Sequence, residues 1–175
     1  MAEAVAEAPG ASRRLPGPAA ARLTALLLPL ALLAGAFGSQ YLGGLTPCEM
    51  CWWQRYPHIA AIALAGLAFS GPADASRARA LTLLAAAAIA VSGAIGLYHA
   101  GVELKIFEGF TTCTATASTG MSNEELLRQI VAAPLVRCDE VQWSFLGISM
   151  AGWNAILSLG GAAIIAFLSL KGSRR

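Results

Sequence analysis

The chain has 175 residues, of which 57% are hydrophobic and only 13% are charged. A soluble domain usually carries about 25% charged residues, so the composition argues against a soluble globular protein, while the net charge of +2 says little by itself. Four tracts contain no Asp, Glu, Lys or Arg: 23–48, 56–73, 80–102 and 141–170. Each is near or above the roughly 18 residues that indicate a transmembrane helix. We therefore predict an all-α fold, a single four-transmembrane-helix bundle over residues 21–170.

The predicted elements begin with a tail. Residues 1–20 are rich in Ala, Pro and Gly without apolar periodicity, which is typical of a disordered segment. The transmembrane spans are predicted at 23–42, 53–69, 80–100 and 147–170, and residues 171–175 form a second tail. Pro29 falls inside the first span, where neighbouring helices can satisfy the carbonyl that it frees. Small residues in the third span, such as Gly93 and Gly96, permit close helix packing.

A polar loop, 101–143, separates the third span from the fourth. Within it, Ser122-Asn123-Glu124-Glu125 fits the capping box of a helix start. Apolar residues follow at helical spacing, and Pro134 ends the run. The segment is too short and too charged to cross a bilayer, so we predict a short amphipathic helix on the membrane surface. A loop helix packed against the bundle is the alternative.

The positive residues predict the orientation of the bundle. Eight of the twelve basic residues flank one side of the predicted spans: Arg13, Arg14, Arg22, Arg77, Arg79, Lys171, Arg174 and Arg175. Lys and Arg near short loops mark the cytoplasmic side, so we expect both termini there and all four cysteines on the opposite side. An alternative is a secretory signal, because Arg13-Arg14, an apolar run and Ala34-Gly35-Ala36 resemble one. The apolar tract continues past Ala36, which favours an uncleaved span.

Cys48 and Cys51 form a C-x-x-C pair at the start of the second span, and such pairs are often redox-active. The helix dipole favours an anion at Cys51, and Arg55, four residues on, lies over the same helix face. Both effects favour the thiolate form of Cys51. One alternative is an inert staple, which would stabilise little because it closes a very small loop. Another is a metal site built from all four thiols, which is disfavoured because we expect no histidine to cluster with the cysteines.

Cys113 and Cys138 lie in the polar loop, on the same predicted side as the first pair. Four cysteines on an oxidising face indicate two disulfides, with three possible pairings. The loop cysteines could merely close the loop, or they could exchange disulfides with an external dithiol protein and pass its electrons to the C-x-x-C pair. The sequence contains no haem, flavin or iron–sulfur motif. A lipid-soluble acceptor at the membrane edge is therefore the expected electron sink.

Three patterns in the sequence resemble the bacterial disulfide-bond formation protein B (DsbB) family. They are P-C-x-x-C-x-x-x-R at 47–55, Tyr98-His99-x-Gly101-Val102-Glu103, and Cys138-Asp139-Glu140-Val141-Gln142-Trp143-Ser144-Phe145-Leu146-Gly147-Ile148-Ser149-Met150, together with Cys113. The resemblance covers residues 22–168, and the C-x(4)-W-x-F-L-G block is its most specific part. It implies a quinone reductase of the bacterial inner membrane, with its cysteines in the periplasm, that reoxidises a periplasmic thioredoxin-like dithiol oxidase of the DsbA type.

The resemblance also implies roles for the four cysteines. The partner would attack Cys113, the released Cys138 would attack Cys48, and Cys51 would become the thiolate that faces the quinone. Ubiquinone or menaquinone is the implied acceptor.

Four other residues are the implied quinone site. Arg55 would hydrogen-bond a quinone oxygen and hold the Cys51 thiolate, while His99 would approach the other side of the quinone. Trp143 and Met150 would line the same region. Aromatic residues also anchor helices at the membrane interface, and the same reservation covers Trp52 and Trp53.

Some features depart from the family's pattern, and two other functions compete. Glu49-Met50, the Trp52-Trp53 pair and the capped loop helix are unusual, which puts in doubt the identity of the partner. A vitamin K epoxide reductase-like enzyme also combines four helices with a C-x-x-C, but it places its loop cysteines upstream of that motif. A non-enzymatic scaffold or small transporter with structural disulfides is the second alternative. We expect a monomer that binds no nucleic acid.

Overall fold

Four long helices make up most of the described chain, which in this computed structural model comprises residues 17–73, 75–109, 122–124, 127–128 and 136–171. They are α1 (Gly17–Tyr41), α2 (Glu49–Ala68), α3 (Ser76–Glu103) and α4 (Met150–Lys171). Each helix packs against the next, and α4 packs against α1, which closes a bundle. The end of α1, the start of α2, the end of α3 and the start of α4 meet at one end of this bundle, called the thiol end below because Cys48 and Cys51 lie there.

Three of the helices, α1, α3 and α4, are long and apolar enough to cross a membrane. The prediction of a multi-pass helical membrane protein is therefore confirmed for three spans. Helix α2 has 20 residues but contains Gln54, Arg55 and His58, which lower its hydropathy. These three side chains are buried inside the bundle, where polar groups can pair with one another away from lipid.

Small side chains fill the middle of the bundle, and large ones cover its outside. The main core cluster consists of Ala21, Ala25, Ala61, Ala65, Ala85, Ala86, Ile89, Ala162 and Ile165. Alanine cores let helix backbones approach closely, as is usual for helices that pack within a membrane. Large apolar residues such as Leu27, Leu97 and Phe167 are more than half exposed. Exposed apolar surface of this kind suits contact with lipid chains rather than with water.

The helix boundaries differ from the predicted spans at several ends. Helix α1 begins at Gly17, within the predicted disordered tail, because Pro18 is well tolerated in a first helical turn. Helix α2 begins at Glu49 rather than at residue 53, so Cys51 lies in its first turn. Helix α3 extends beyond the predicted 80–100 at both ends.

The start of the fourth span was predicted wrongly. Residues 144–149 form a β-hairpin, β1 (Ser144–Phe145) and β2 (Ile148–Ser149), that pairs Ser144 with Ser149. Its two turn residues, Leu146 (φ 53°) and Gly147 (φ 77°), both have positive φ, which is the requirement of a tight two-residue hairpin turn. Helix α4 starts only after this hairpin, so the fold is not purely α.

Part of the polar loop lies outside the described residues, including Cys113 and most of the predicted surface helix. That helix stays a prediction. The described end of the loop is tied through Asp139 to Lys105, two residues after the end of α3. Its carboxylate accepts hydrogen bonds from Arg137 (2.7 and 2.9 Å) and from Lys105 Nζ (2.6 Å), and Lys105 Nζ also donates to the Asp139 carbonyl (2.7 Å). These bonds hold the neighbouring Cys138 over the thiol end.

Candidate active site

Cys48 and Cys51 lie one turn apart where α2 begins. Cys48 is the N-cap residue and has extended backbone dihedrals, while Cys51 belongs to the first helical turn. The C-x-x-C spacing across a helix start therefore turns both side chains towards each other. Their Sγ atoms are 3.2 Å apart, and the Cys48 thiol donates a hydrogen bond to the Cys51 sulfur.

The environment of Cys48 favours its protonated form. Its side chain is 3% exposed. The hydrogen bond to Cys51 and then burial raise the pKa of the Cys48 thiol to about 12, although the contact with His99 acts in the opposite direction. A thiol that stays protonated and donates a hydrogen bond to a neighbouring sulfur stabilises negative charge on that neighbour. Within the pair, Cys51 is thus the sulfur that is placed to carry the charge.

Arg55 is held rigidly one turn further along α2. Its guanidinium is 4.7 Å from the ring centres of both Phe37 and Trp52, distances at which cation–π attraction operates. It donates hydrogen bonds to Gln40 Oε1 (2.6 Å) and to the Ala36 carbonyl (3.1 Å) of α1. These bonds engage two of the five N–H donors of a guanidinium. Arg55 therefore presents a fixed positive charge with donors left for a ligand oxygen.

His99 reaches the thiol pair from α3. Its Nε2 lies 3.7 Å from Cys48 Sγ, and its Nδ1 lies 2.8 Å from Gln54 Nε2. One turn later, the Glu103 side chain is only 7% exposed, with Oε1 4.0 Å from His99 Nε2. Glu103 Oε2 is buried without a hydrogen-bond partner among the described residues.

Cys138 completes the cluster from the loop. It is 4% exposed and packs with Cys48, Met50 and Val102. The ligating atoms of Cys48, His99 and Cys138 all lie within 4.8 Å of one another. A sulfur so close to Cys48 is within reach of thiol–disulfide exchange after a small movement. The guanidinium of Arg137 and then the Lys105 ammonium hold the pKa of Asp139 well below its usual range, so the anchor of this loop segment remains ionised.

A buried polar network extends from this cluster into the bundle. Asn154 of α4 donates through Nδ2 to Gln54 Oε1 (2.8 Å), and its Oδ1 lies 3.0 Å from His58 Nε2. Ser92 Oγ lies 2.9 Å from His58 Nε2 and donates to the Gln54 carbonyl (2.7 Å). Since unpaired polar groups are costly in such an interior, these mutual bonds fix the relative positions of α2, α3 and α4.

A cavity of about 540 Å³ opens beside the thiol pair, between α1 and the elements that face it. Its wall includes six of the predicted site residues: Cys48, Cys51, Arg55, His99, Trp143 and Met150. Most of the remaining wall is apolar, with Leu32, Leu33 and Ala36 of α1 on one side. Cavities of this size and character hold small organic ligands.

The predicted site residues thus meet in one place, apart from Cys113, which lies outside the described residues. Trp52 packs against Arg55, whereas Trp53 is 39% exposed on the outside of the bundle. Sequence reasoning missed Gln54, Glu103 and Asn154. A signal for Gln54 was present, because a polar residue three positions after Cys51 lies on the same helix face in an apolar span.

The expectation that no histidine clusters with the cysteines was wrong. Helix packing brings His99 to Cys48 across 51 residues of sequence. Thiolate and imidazole groups at this spacing also suit soft metals. The 3.2 Å contact between Cys48 and Cys51 favours use of the same sulfurs as a redox pair.

A membrane-compatible helical bundle with a close thiol pair in the wall of a largely apolar cavity defines a membrane thiol oxidoreductase as the class of protein. The family model described as "Disulfide bond formation protein DsbB" matches residues 18–168, and the chain belongs to this family. It is therefore a multi-pass membrane protein of disulfide bond formation, from a family that is generally quinone-linked. Membership decides against the vitamin K epoxide reductase-like alternative.

Proteins with the name "Disulfide bond formation protein B" are similar to the chain over most of their length. The one from Xanthomonas campestris pv. campestris (strain 8004) is 30% identical over 151 residues, which cover 82% of this chain and 87% of that protein. The one from Marinobacter nauticus is 33% identical over 135 residues, which cover 71% and 76%. No solved structure gives a significant match.

Proposed function

We propose that the protein is a protein dithiol:quinone oxidoreductase, which reoxidises a periplasmic thioredoxin-like dithiol oxidase and passes the electrons to ubiquinone or menaquinone. The observation that carries this proposal is the position of the thiol pair. Cys48 and Cys51, 3.2 Å apart, lie in the wall of a largely apolar cavity that also contains the Arg55 guanidinium. A site of that composition suits an apolar ring with polar oxygens at its rim.

The residues present fit a quinone headgroup. Arg55 would donate to a quinone oxygen, since its charge is fixed by α1 and by the two aromatic rings. Trp143 and Met150 would contact the apolar faces from the start of α4 and the segment before it, and His99 would border the site from α3. When bound, the quinone supplies the capacity to accept two electrons and two protons.

The cysteines would carry electrons by successive disulfide exchange. A thiolate of the partner attacks Cys113 of a Cys113–Cys138 disulfide, which forms a mixed disulfide and releases Cys138. Cys138, held against Cys48, attacks Cys48 of a Cys48–Cys51 disulfide, forms Cys48–Cys138 and releases Cys51 as a thiolate. Each step exchanges one S–S bond for another. The second thiol of the partner then displaces Cys113, so the partner leaves oxidised. Cys113 in turn attacks Cys138, which restores the Cys113–Cys138 disulfide and leaves Cys48 and Cys51 as the dithiol whose two electrons and two protons a bound quinone would accept.

The same proposal includes the topology. Helix α2 would be the fourth span, because it packs between α1 and α3 and buries its polar residues inward. The distribution of basic residues supports cytoplasmic termini and cysteines on the periplasmic side of the inner membrane. Each half of the site would then meet its own electron carrier: the loop would meet a soluble protein, and the cavity would meet a lipid-borne quinone.

The decisive experiment follows quinone absorbance after purified protein is mixed with ubiquinone and a reduced thioredoxin-like partner. Wild-type protein should reduce the quinone, and Cys51→Ser should not. Cys113→Ser should block transfer from the partner but leave quinone binding unchanged, whereas Arg55→Met should weaken quinone binding. A scaffold with structural disulfides predicts no quinone reduction, with wild type and Cys51→Ser indistinguishable, and that result would refute the proposed function.

A further inference from the structure

The orientation of two side-chain amides, the buried Gln54 and the half-buried Asn154, is determined by backbone carbonyls. Gln54 Nε2 lies 3.1 Å from the Met50 carbonyl oxygen, and Asn154 Nδ2 lies 3.2 Å from the Ser92 carbonyl oxygen. A carbonyl oxygen can only accept a hydrogen bond, so the atom that faces it must be the amide nitrogen and not the amide oxygen. Both amides therefore have one orientation, and so do the hydrogen bonds that they make to other side chains.

These orientations assign a direction to the bonds that lead to the thiols. Asn154 Nδ2 donates to Gln54 Oε1 (2.8 Å), and Gln54 Nε2 donates to His99 Nδ1 (2.8 Å). Because Nδ1 accepts this bond, the proton of neutral His99 must be on Nε2. Nε2 faces Cys48 Sγ at 3.7 Å, and the Cys48 thiol donates in turn to Cys51. Each member of the series thus donates to the next, from Asn154 through Gln54, His99 and Cys48 to Cys51.

We propose that Gln54 is a positioning residue that holds His99 as an Nε2–H donor to Cys48, so that the thiol proton of Cys48 points to Cys51 and the negative charge of the reduced pair lies on Cys51. In a buried site, bonds in series polarise one another, so a distant amide can influence the final acceptor. The inference deepens the proposed function, because that function needs Cys51 to be the thiolate beside the cavity.

Other ionisable groups near Cys48 and Cys51 also influence which of the two sulfurs carries the negative charge. They are Arg55 from α2, His99 and Glu103 from α3, and Cys138, Arg137 and Glu140 from the loop, while Tyr41 at the end of α1 acts on Arg55. Glu103 Oε1 lies 4.0 Å from His99 Nε2, which is too far for a hydrogen bond but close enough for electrostatic attraction. This attraction favours a proton on Nε2 and leaves Nδ1 as the acceptor of the Gln54 bond, so the role of Gln54 is unchanged.

The change Gln54→Glu reverses the direction of the series at one point. A carboxylate can only accept hydrogen bonds, so His99 Nδ1 would have to carry a proton and donate a hydrogen bond to it. If His99 is then neutral, its bare Nε2 accepts the Cys48 thiol proton and withdraws it from Cys51. If His99 becomes an imidazolium, its positive charge stabilises a thiolate on Cys48 itself. Both routes move negative charge from Cys51 to Cys48.

The test measures alkylation of each cysteine in the full-length reduced protein in lipid nanodiscs. Short pulses of iodoacetamide over a range of pH, followed by peptide mass spectrometry, give a separate rate for Cys48 and for Cys51. Thiolates are the reacting species, so wild-type protein should alkylate faster at Cys51. Gln54→Glu should lower the ratio of the Cys51 rate to the Cys48 rate by about tenfold or more, the equivalent of at least one pH unit in relative ionisation.

Thr82→Val is the matched control, because it removes a buried hydroxyl of α3 whose one hydrogen bond among the described residues goes to the Ala78 carbonyl of its own helix. The ratio of the Cys51 rate to the Cys48 rate in this variant should stay within about twofold of the wild-type ratio. That is much less than the tenfold change expected from a relative pKa shift of about one unit. A folded Gln54→Glu protein with the wild-type ratio would overturn the proposal.

A spectroscopic measurement on the unmodified chain covers the case in which Gln54→Glu does not fold. Nitrogen-15 NMR of labelled histidine distinguishes a protonated from a bare Nδ1. A bare Nδ1 at His99 in the neutral state is the expected result, and a protonated Nδ1 would refute the inference. Neither measurement involves a quinone. Failure of the proposed function would therefore leave this result standing, and the reverse also holds.

Discussion

Gly96 of α3 lies directly against the hydrogen bond between Gln54 and Asn154, which makes Gly96→Ala a sensitive perturbation. An added Cβ would be 3.0 Å from Asn154 Nδ2, 3.1 Å from Gln54 Oε1 and 3.0 Å from the Ala151 carbonyl oxygen. Overpacking of this kind costs about 1–3 kcal/mol, and loss of the amide bond costs about 1 kcal/mol more. Helix propensity returns about 1 kcal/mol for Gly→Ala. The free energy of unfolding should therefore fall by about 1–3 kcal/mol.

Gly160→Ala in α4 is the control, because no atom of the described part of the chain lies within 4 Å of a Cβ built there. It keeps the gain in propensity and lacks the steric conflict. In denaturant unfolding of both variants in the same micelles, Gly96→Ala should be less stable than Gly160→Ala by about 2–4 kcal/mol, which is the overpacking and hydrogen-bond loss together. Equal stability of the two variants would refute the close α3–α4 contact and, with it, the position of the hydrogen bond between Asn154 and Gln54.

Three other predictions concern the thiol end. Arg55→Lys keeps the charge but loses the planar contacts with two aromatic rings, so the free energy of unfolding should fall by about 1–3 kcal/mol. Arg77→Lys on the exposed face should leave the free energy of unfolding unchanged. The reduced protein should lose stability as pH rises from the ordinary cysteine pKa of 9.0 towards about 12, because folded Cys48 binds its proton more tightly than the unfolded chain does. The oxidised protein, measured in parallel, should lack this loss. Asp139→Asn should speed alkylation of Cys138, because the segment that carries Cys138 loses its ion pairs with Arg137 and Lys105; an unchanged rate would contradict that role.

The hydrophobic tracts predicted helices well because charge-free stretches of sufficient length have few other structures available in a membrane. Their ends were less accurate. The hairpin at 144–149 was missed because its turn depends on a leucine with positive φ, a conformation that the residue type disfavours. The extra turn at the start of α2 was missed because Glu49 was assigned to a loop.

The candidate site was predictable where chemistry follows from local spacing. Cys48, Cys51 and Arg55 occupy one helix start, and the block that contains Cys138 and Trp143 lies within the residues that match the family model. The partners of His99 were not predictable in this way. Gln54 and Asn154 are ordinary polar residues in the sequence, and they become informative only when α2, α3 and α4 bring them within hydrogen-bond distance.

The sequence by itself determined that this is a helical membrane protein of the DsbB family, because composition and motif spacing are local features that can be read without knowing how the helices pack. Only the tertiary structure decided which groups surround the thiol pair. His99 is 51 residues from Cys48 in sequence, yet their side chains are 3.7 Å apart. Hydrogen-bond direction, burial and the charge of a thiol depend on neighbours at such distances. The asymmetry between Cys48 and Cys51 is consequently a property of the bundle and not of the C-x-x-C motif.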